Sequence, residues 1–230
     1  MHNYLSFGAG VNSVALYLLM VEQGIEFEAV FSDTGCEWPE TYSFLDLFIK
    51  NHPVTVLKTE GLIEYCEKYG MVPHILRRWC TRLFKREVIN GYVQQPSWMF
   101  IGFSSDEAHR AKLTSDSGLE YRYPLIENEI TRAGCIEIIR KAGLPIPRKS
   151  GCYICPFQRV GQWQELRRYH PELFCRASNL EKANIAQRIA RGKKPLYLSQ
   201  SPKAPLSEIV GERQEKLFKQ DEYPPCLCGL

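Results

Sequence analysis

The chain has 230 residues, 44% of them hydrophobic, and a formal net charge of +3 at pH 7. This size and apolar content allow one core with a small appended subdomain, so the chain is expected to fold unaided. A net charge this small does not by itself indicate a nucleic-acid-binding protein.

The cysteines and the apolar segments indicate the cellular compartment. The first residues lack the basic stretch of an export signal, and no segment approaches about eighteen uninterrupted apolar residues, so we expect a cytoplasmic protein without a membrane partner. Nine cysteines in such a chain argue against a disulfide framework, because the number is odd and the compartment is reducing. The sequence therefore predicts thiols that bind a metal or do chemistry.

Apolar periodicity and turn residues predict strands that alternate with helices over the first part of the chain. In chain order we predict a strand near 5–7, a helix from 14 to 23, a strand at 27–31, a helix at 39–48, a strand at 54–57, helices at 62–68 and 81–88, a strand at 98–102 and a helix at 131–141. Such alternation is typical of a doubly wound, mostly parallel α/β sheet, which we assign to residues 1–144. Residues 145–230 are predicted to form a cysteine-containing helical subdomain and tail, with helices at 161–169, 171–191 and 208–218.

A glycine-containing turn joins the first predicted strand to the first helix. It contains Gly8, Ala9, Gly10, Asn12 and Ser13. Glycines let a backbone approach a phosphate closely, and the following helix N-terminus presents unpaired N–H groups to it. A tight turn with a purely steric need for glycine is the alternative, and the turn lacks the Lys-Ser/Thr ending of a Walker loop.

A polar segment leaves the second predicted strand, at the sheet edge where open α/β sheets bind ligands. It supplies Asp33, Thr34, Gly35 and Glu40 as candidate binding residues. The alternative is structural, with Asp33 closing a turn and Glu40 stabilising a helix start through the helix dipole.

Cys80 follows Arg77 and Arg78 and precedes Arg82 and Lys85 near a predicted helix start. Nearby cations lower the pKa of a thiol and favour the thiolate that a metal or an electrophile needs. The alternative is an inert buried thiol.

Cys152 and Cys155 form a C-x2-C pair in a loop bounded by Gly151 and Pro156. Two thiolates at this spacing can face one metal, and soft sulfur ligands suit an iron–sulfur cluster or zinc. With Cys80 as a third ligand, a [4Fe–4S] cluster requires one more cysteine. The candidates are Cys175, Cys226 and Cys228, while zinc and free thiols stay open as alternatives.

The order of these segments resembles the sulfonucleotide (PAPS and APS) reductases, which have the PP-loop fold of adenine nucleotide α-hydrolases. The turn aligns with the family motif S-G-G-x-D-S at Ser13, which places Asn12 at the Asp, and the second segment aligns with DTG-x-E-x-PET. Asn12 carries no charge, so the alignment disfavours Mg²⁺-assisted splitting of ATP, although Mg²⁺ stays an open cofactor.

The resemblance implies an enzyme that binds ATP, APS or PAPS in the Gly8–Ser13 crevice and uses a [4Fe–4S] cluster. It implies that Glu107 and Arg110 hold the anionic end of the substrate, since an arginine forks onto phosphate or sulfate oxygens. It relates Lys85 to the lysine of the family's C-x-x-x-K type segment, although four residues separate Cys80 from Lys85 in this chain. The C-terminal Cys228 is similar to the family's tail cysteine, which attacks the sulfonate sulfur, and a thioredoxin-type protein is the implied reductant.

Two alternatives rest on the basic segment 159–194, whose charges either solvate a helix face or contact nucleic acid. The first is a PP-loop sulfurtransferase that activates DNA or tRNA by adenylation. The second is a non-enzymatic protein in which zinc holds Cys152 and Cys155 and the basic helices bind nucleic acid.

Overall fold

The computed structural model describes residues 1–111, 118–200 and 202–210. Over these residues a five-stranded sheet forms from β1 (His2–Ser6), β2 (Glu28–Asp33), β3 (Thr55–Lys58), β4 (Ser97–Ile101) and β5 (Leu119–Arg122). The strand order is β3-β2-β1-β4-β5, and each neighbouring pair is parallel.

The helices alternate with the strands and then continue alone. They are α1 (Val11–Glu22), α2 (Pro39–Phe48), α3 (Leu62–Tyr69), α4 (Trp79–Thr81), α5 (Glu87–Tyr92), α6 (Pro124–Glu127), α7 (Arg132–Lys141), α8 (Val160–Tyr169), α9 (Pro171–Ala190) and α10 (Leu206–Ile209). A π turn covers Arg82–Arg86 and a 3₁₀ segment covers Ser105–Arg110. No helix of the described residues is both long and apolar enough to cross a membrane.

Two sequence-based predictions about helices need correction. The helix predicted at 81–88 is interrupted by the π turn, because one extra residue per turn is inserted between α4 and α5. The helix predicted at 208–218 begins earlier, at Leu206, and α10 ends at Ile209; residues 211–230 lie outside the described part of the chain. β5 was not predicted because a strand of 4 residues carries little periodic signal.

Both faces of the sheet are covered, as alternation of side chains along each strand requires. Leu5, Phe31 and Phe100 pack in one core with residues of α1, α2 and α7. Their strand neighbours Tyr4 and Val30 pack on the opposite face, in a core that includes residues of α5. The predicted doubly wound, parallel α/β fold is therefore confirmed.

The direction of winding reverses at β1, because β2 and β3 lie on one side of it and β4 and β5 on the other. Crevices at such switch points, outside the carboxyl ends of the strands, are where open α/β sheets bind ligands. Gly102, which follows β4, allows the turn after β1 to approach. A Cβ on Gly102 would lie 3.0 Å from the Ser13 nitrogen and 3.1 Å from the Asn12 carbonyl oxygen.

The C-terminal helices pack against the first part of the chain rather than standing apart. Trp163 of α8 and Ala177 of α9 are fully buried in a core shared with Trp38, Ile63 and other residues around α3. The division at residue 144 stays a prediction, since this core joins the two parts.

Candidate functional site

An open cleft lies at the switch point, between the turn after β1 and the segment after β4. We call it the switch-point cleft. Seven of the predicted binding residues line it, namely Gly8, Gly10, Asn12, Ser13, Lys85, Glu107 and Arg110. The chain thus brings together residues that are up to about a hundred positions apart in sequence, as parallel strands that share one carboxyl edge do.

The turn after β1 is held in shape by its own serine. The Ser13 hydroxyl accepts hydrogen bonds from the Gly8 and Gly10 N–H groups, each at 3.2 Å, and donates to the Gly10 carbonyl at 3.0 Å. Ala9 adopts a positive φ of 51°, a conformation that glycine adopts at lower cost. The turn leads directly into α1, whose own first turn contains no acidic residue.

Asn12 connects the turn to the segment after β4. Its amide nitrogen donates to the Glu107 carboxylate at 2.7 Å and to the Ser104 hydroxyl at 3.2 Å. Its amide oxygen accepts from Arg132 at 3.3 Å. Glu107 also pairs with Arg110 and is only 4% exposed. A neutral amide at residue 12 therefore suits the buried carboxylate opposite it, which explains why this chain has Asn where the resembling motif has Asp.

Arg132 and Lys149 line the same cleft and were not predicted from the sequence. Both bond to uncharged amide oxygens, Arg132 to Asn12 and Lys149 to Gln162 at 3.4 Å. Burial lowers the pKa of Lys149, and the charges of Arg159 and Arg132 lower it further while Cys155 opposes them. A bound anion would relieve this crowding of positive charge. The only sequence signal for Lys149 is its place just before the C-x2-C loop.

A second cavity adjoins the cleft, and we call it the thiol cavity. The three predicted metal ligands, Cys80, Cys152 and Cys155, all line it, together with Thr34 and Lys85. Lys85 lines both cavities. It lies in the π turn, and its amine is 3.7 Å from the Glu37 carboxylate.

The expectation that nearby cations lower the pKa of Cys80 is wrong. Burial raises the pKa of Cys80, and the neighbouring Cys152 raises it further, which outweighs the opposing effect of Lys85. Burial likewise raises the pKa of Cys155 to about 12. The sequence places cations near Cys80 but does not show how far the thiol is removed from water, and desolvation is the larger effect here.

The thiol cavity offers the type of ligand atom that a soft metal prefers, because three cysteine thiols line it. Among the described residues, no three His, Cys, Asp or Glu side chains already stand in the arrangement of a metal site. The cysteine sulfurs would therefore have to turn toward a common centre to hold a metal. The metal ligation predicted from the sequence stays a prediction.

Other predicted residues lie outside the walls of both cavities. Asp33 closes a local turn, accepting from the Gly35 N–H at 2.9 Å and from the Tyr42 hydroxyl at 2.7 Å. Glu40 lies in the first turn of α2 and pairs with Arg148 and His170. Cys175 is exposed on α9 and is not part of the thiol cavity wall. Cys226 and Cys228 lie outside the described residues.

No family model matches the chain. Two uncharacterized proteins of Methanocaldococcus jannaschii are similar to it, at 27% identity over 74% of the chain and at 22% identity over 80%. The chain spans less than half the length of these relatives, 45% of one and 43% of the other. Among solved structures, it is similar to a PAPS reductase from Candida auris crystallised with phosphate, with a TM-score of 0.49, 16% identity and coverage of 64% of this chain and 75% of that one.

Proposed function

We propose that the chain is an enzyme that binds an adenine nucleotide by its phosphate or sulfate end in the switch-point cleft and carries out sulfur chemistry at the neighbouring thiols. The observation that carries the proposal is the position of Lys85, which lines both the cleft and the thiol cavity. An anion bound beside Lys85 would therefore lie next to Cys80, Cys152 and Cys155.

The charges of the cleft support an anionic ligand. Among the described residues that line the cleft, the one carboxylate is that of Glu107, which is already paired with Arg110. Arg132 and Lys149 bond to neutral amides. The glycine turn adds backbone N–H groups at the start of α1. A phosphate or sulfate group satisfies these donors and offsets the excess positive charge.

We propose that the thiols of Cys80, Cys152 and Cys155 hold a [4Fe–4S] cluster, with zinc as the alternative. A bound cluster would supply a polarisable, electron-rich centre beside the switch-point cleft. Lys85, which lines both cavities, would hold its ammonium group near the metal-bound thiolates and the anionic substrate and stabilise the negative charge of each.

In the reductase reaction, the Cys228 thiolate attacks the sulfur of the sulfonucleotide and releases AMP or its 3′-phosphate form. The product is a cysteine S-sulfonate, which a second thiol reduces to sulfite with formation of a disulfide. A thioredoxin-type dithiol supplies the two electrons. Cys228→Ser should abolish the release of sulfite from APS or PAPS while leaving the visible absorption of the cluster unchanged.

The test begins with calorimetry of fully metallated protein against ATP, APS, PAPS and AMP. Binding of at least one of them is expected, and Arg110→Gln should weaken it by about tenfold or more, since a charge-assisted hydrogen bond contributes about 1.5–3 kcal/mol. Absence of binding by all four would overturn the proposal. Sulfite release with a reductant then identifies a reductase, and pyrophosphate release from ATP identifies the sulfurtransferase.

One observation favours the sulfurtransferase alternative. A basic groove, formed by Arg77, Arg188, Arg191 and Lys193 with aromatic Trp79, runs beside the thiol cavity and shares His74 with it. Burial lowers the pKa of His74, and the charges of Arg77, Lys203 and Arg188 lower it further. Such a groove fits a phosphate backbone, with the thiols close to the bound strand.

The groove is tested by nucleic-acid binding at several salt concentrations. We expect Arg191→Glu and Lys193→Glu to weaken the binding of labelled tRNA or duplex DNA and to flatten the dependence of log K on log salt. Arg140→Glu, on α7, is the matched control, because Arg140 is exposed and paired with Glu137 away from the groove. Equal effects of all three variants, or no binding by the wild type, would remove the nucleic-acid alternatives.

A further inference from the structure

We infer that Cys36 is the fourth sulfur ligand of the metal centre, beside Cys80, Cys152 and Cys155. This rests on the proposed metal centre and adds to it a residue that the sequence analysis left without a role. The inference rests on the hydrogen bonds that join the loop after β2 to the C-x2-C loop.

The backbones of these two loops are bonded directly to each other. The Tyr153 N–H donates to the Cys36 carbonyl at 2.8 Å, and the Trp38 N–H donates to the Gly151 carbonyl at 3.1 Å. Glu37 and Cys152 form an antiparallel bridge between these two bonds. These main-chain hydrogen bonds thus hold Cys36 beside Cys152, although the two residues are 116 positions apart in the sequence.

The side chains meet as well. The Thr34 hydroxyl lies 3.6 Å from the Cys36 sulfur and 3.2 Å from the Cys152 sulfur, so it contacts both. Cys36 does not itself line the thiol cavity, but Thr34 does, and Thr34 contacts the Cys36 sulfur. Cys36 therefore lies directly behind the wall that carries Cys80 and Cys155.

The other candidates fit less well. Cys175 is exposed on α9, outside the thiol cavity wall. Cys66 is buried in the same core as Cys36 and lies near Cys80 and Cys152, but it is part of α3, whereas main-chain hydrogen bonds between two loops hold Cys36 beside Cys152. Four cysteines drawn from three segments satisfy the ligand count of a [4Fe–4S] cluster or of a structural zinc site.

The test is metal content after anaerobic reconstitution with iron and sulfide. Cys36→Ser should lose about one iron in four, because three cysteines retain a three-iron cluster, and should show the electron paramagnetic resonance signal of a [3Fe–4S] form. If the wild type takes zinc instead, Cys36→Ser should weaken zinc binding by at least about tenfold in competition with a chelator. Cys66→Ser and Cys135→Ser are the controls, since both replace a fully buried thiol outside the proposed ligand set.

A second measurement tests the role of Cys36 if the Cys36→Ser variant does not fold. In the chain carrying Cys66→Ser, Cys175→Ser, Cys226→Ser and Cys228→Ser and loaded with zinc alone, X-ray absorption should still count four sulfur neighbours per zinc ion. Three sulfurs there, or an unchanged cluster in folded Cys36→Ser, would overturn the assignment of Cys36 alone. A wild type that binds neither iron nor zinc would overturn the metal centre with it. Metal binding without nucleotide binding would overturn the proposed function and leave Cys36 in place.

Discussion

At the scale of single residues, the side chain of Asn12 connects the turn after β1 to the segment after β4. Its amide nitrogen reaches Glu107 at 2.7 Å, and its amide oxygen accepts from Arg132 at 3.3 Å. Both hydrogen bonds need the amide, since only an amide offers a donor and an acceptor on one planar group. The chemistry of the turn in this chain is therefore set by its buried partner Glu107.

Asn12→Asp should destabilise the protein by about 1–3 kcal/mol, because a carboxylate replaces the donor that faces Glu107. Two carboxylates at this distance cannot both ionise cheaply, so the loss should grow as the pH rises. Urea unfolding of wild type and variant at pH 6 and pH 8 measures this loss of stability. The double variant Asn12→Asp with Glu107→Gln restores an amide opposite the carboxylate and should recover stability; no recovery would contradict the explanation.

At the scale of elements, Glu40 ties the first turn of α2 to the C-terminal helices. It pairs with Arg148 at 3.0 Å and with His170, which joins α8 to α9, at 2.9 Å. Burial opposes its charge, but the hydrogen bond from His170 and the charge of Arg148 prevail and lower the pKa of Glu40 below 4.5. The contact thus stabilises packing between two parts of the chain that the sequence analysis treated separately.

Glu40→Gln should remove up to about 1 kcal/mol, the usual range for a partly exposed ion pair. Because the folded-state pKa is lowered, this contribution is present above pH 4.5, the ordinary pKa, and is lost as the pH falls through the folded-state value. Chemical unfolding between pH 3 and pH 7 should show wild type and variant converging at the acid end. Glu137→Gln, in an exposed pair on α7, should show no such convergence.

At the scale of the whole molecule, Lys85 joins the switch-point cleft to the thiol cavity. It is held in the π turn with its amine 3.7 Å from Glu37, which is 3% exposed. Burial disfavours the charge of Lys85, but Glu37 and the neighbouring cysteines outweigh it and raise the pKa of the lysine. Lys85 therefore carries its positive charge at neutral pH.

Lys85→Gln should have two separable effects. Loss of the cation leaves Glu37 buried and unpaired, which costs about 3–5 kcal/mol of stability, and it also removes a donor from the cleft. Adding Glu37→Gln should restore most of the stability and none of the adenine nucleotide affinity. Thermal unfolding and calorimetry on the two variants measure this, and recovery of affinity in the double variant would show that Lys85 acts on the cleft through stability alone.

The sequence by itself determined the α/β alternation, the turn after β1 and the identity of seven residues that line the cleft. These follow from local signals, because side-chain periodicity and glycine-containing turns are properties of short segments. For the same reason the bounds of α2, at Pro39 and Phe48, were predicted correctly.

Only the tertiary structure decided which of these residues meet and how far they are removed from water. The pKa of Cys80 depends on burial, Arg132 and Lys149 reach the cleft from distant segments, and Cys36 meets Cys152 through hydrogen bonds between two loops. Contacts between positions far apart in sequence, and the desolvation that comes with them, leave no periodic trace in the chain, so sequence patterns could not have shown them.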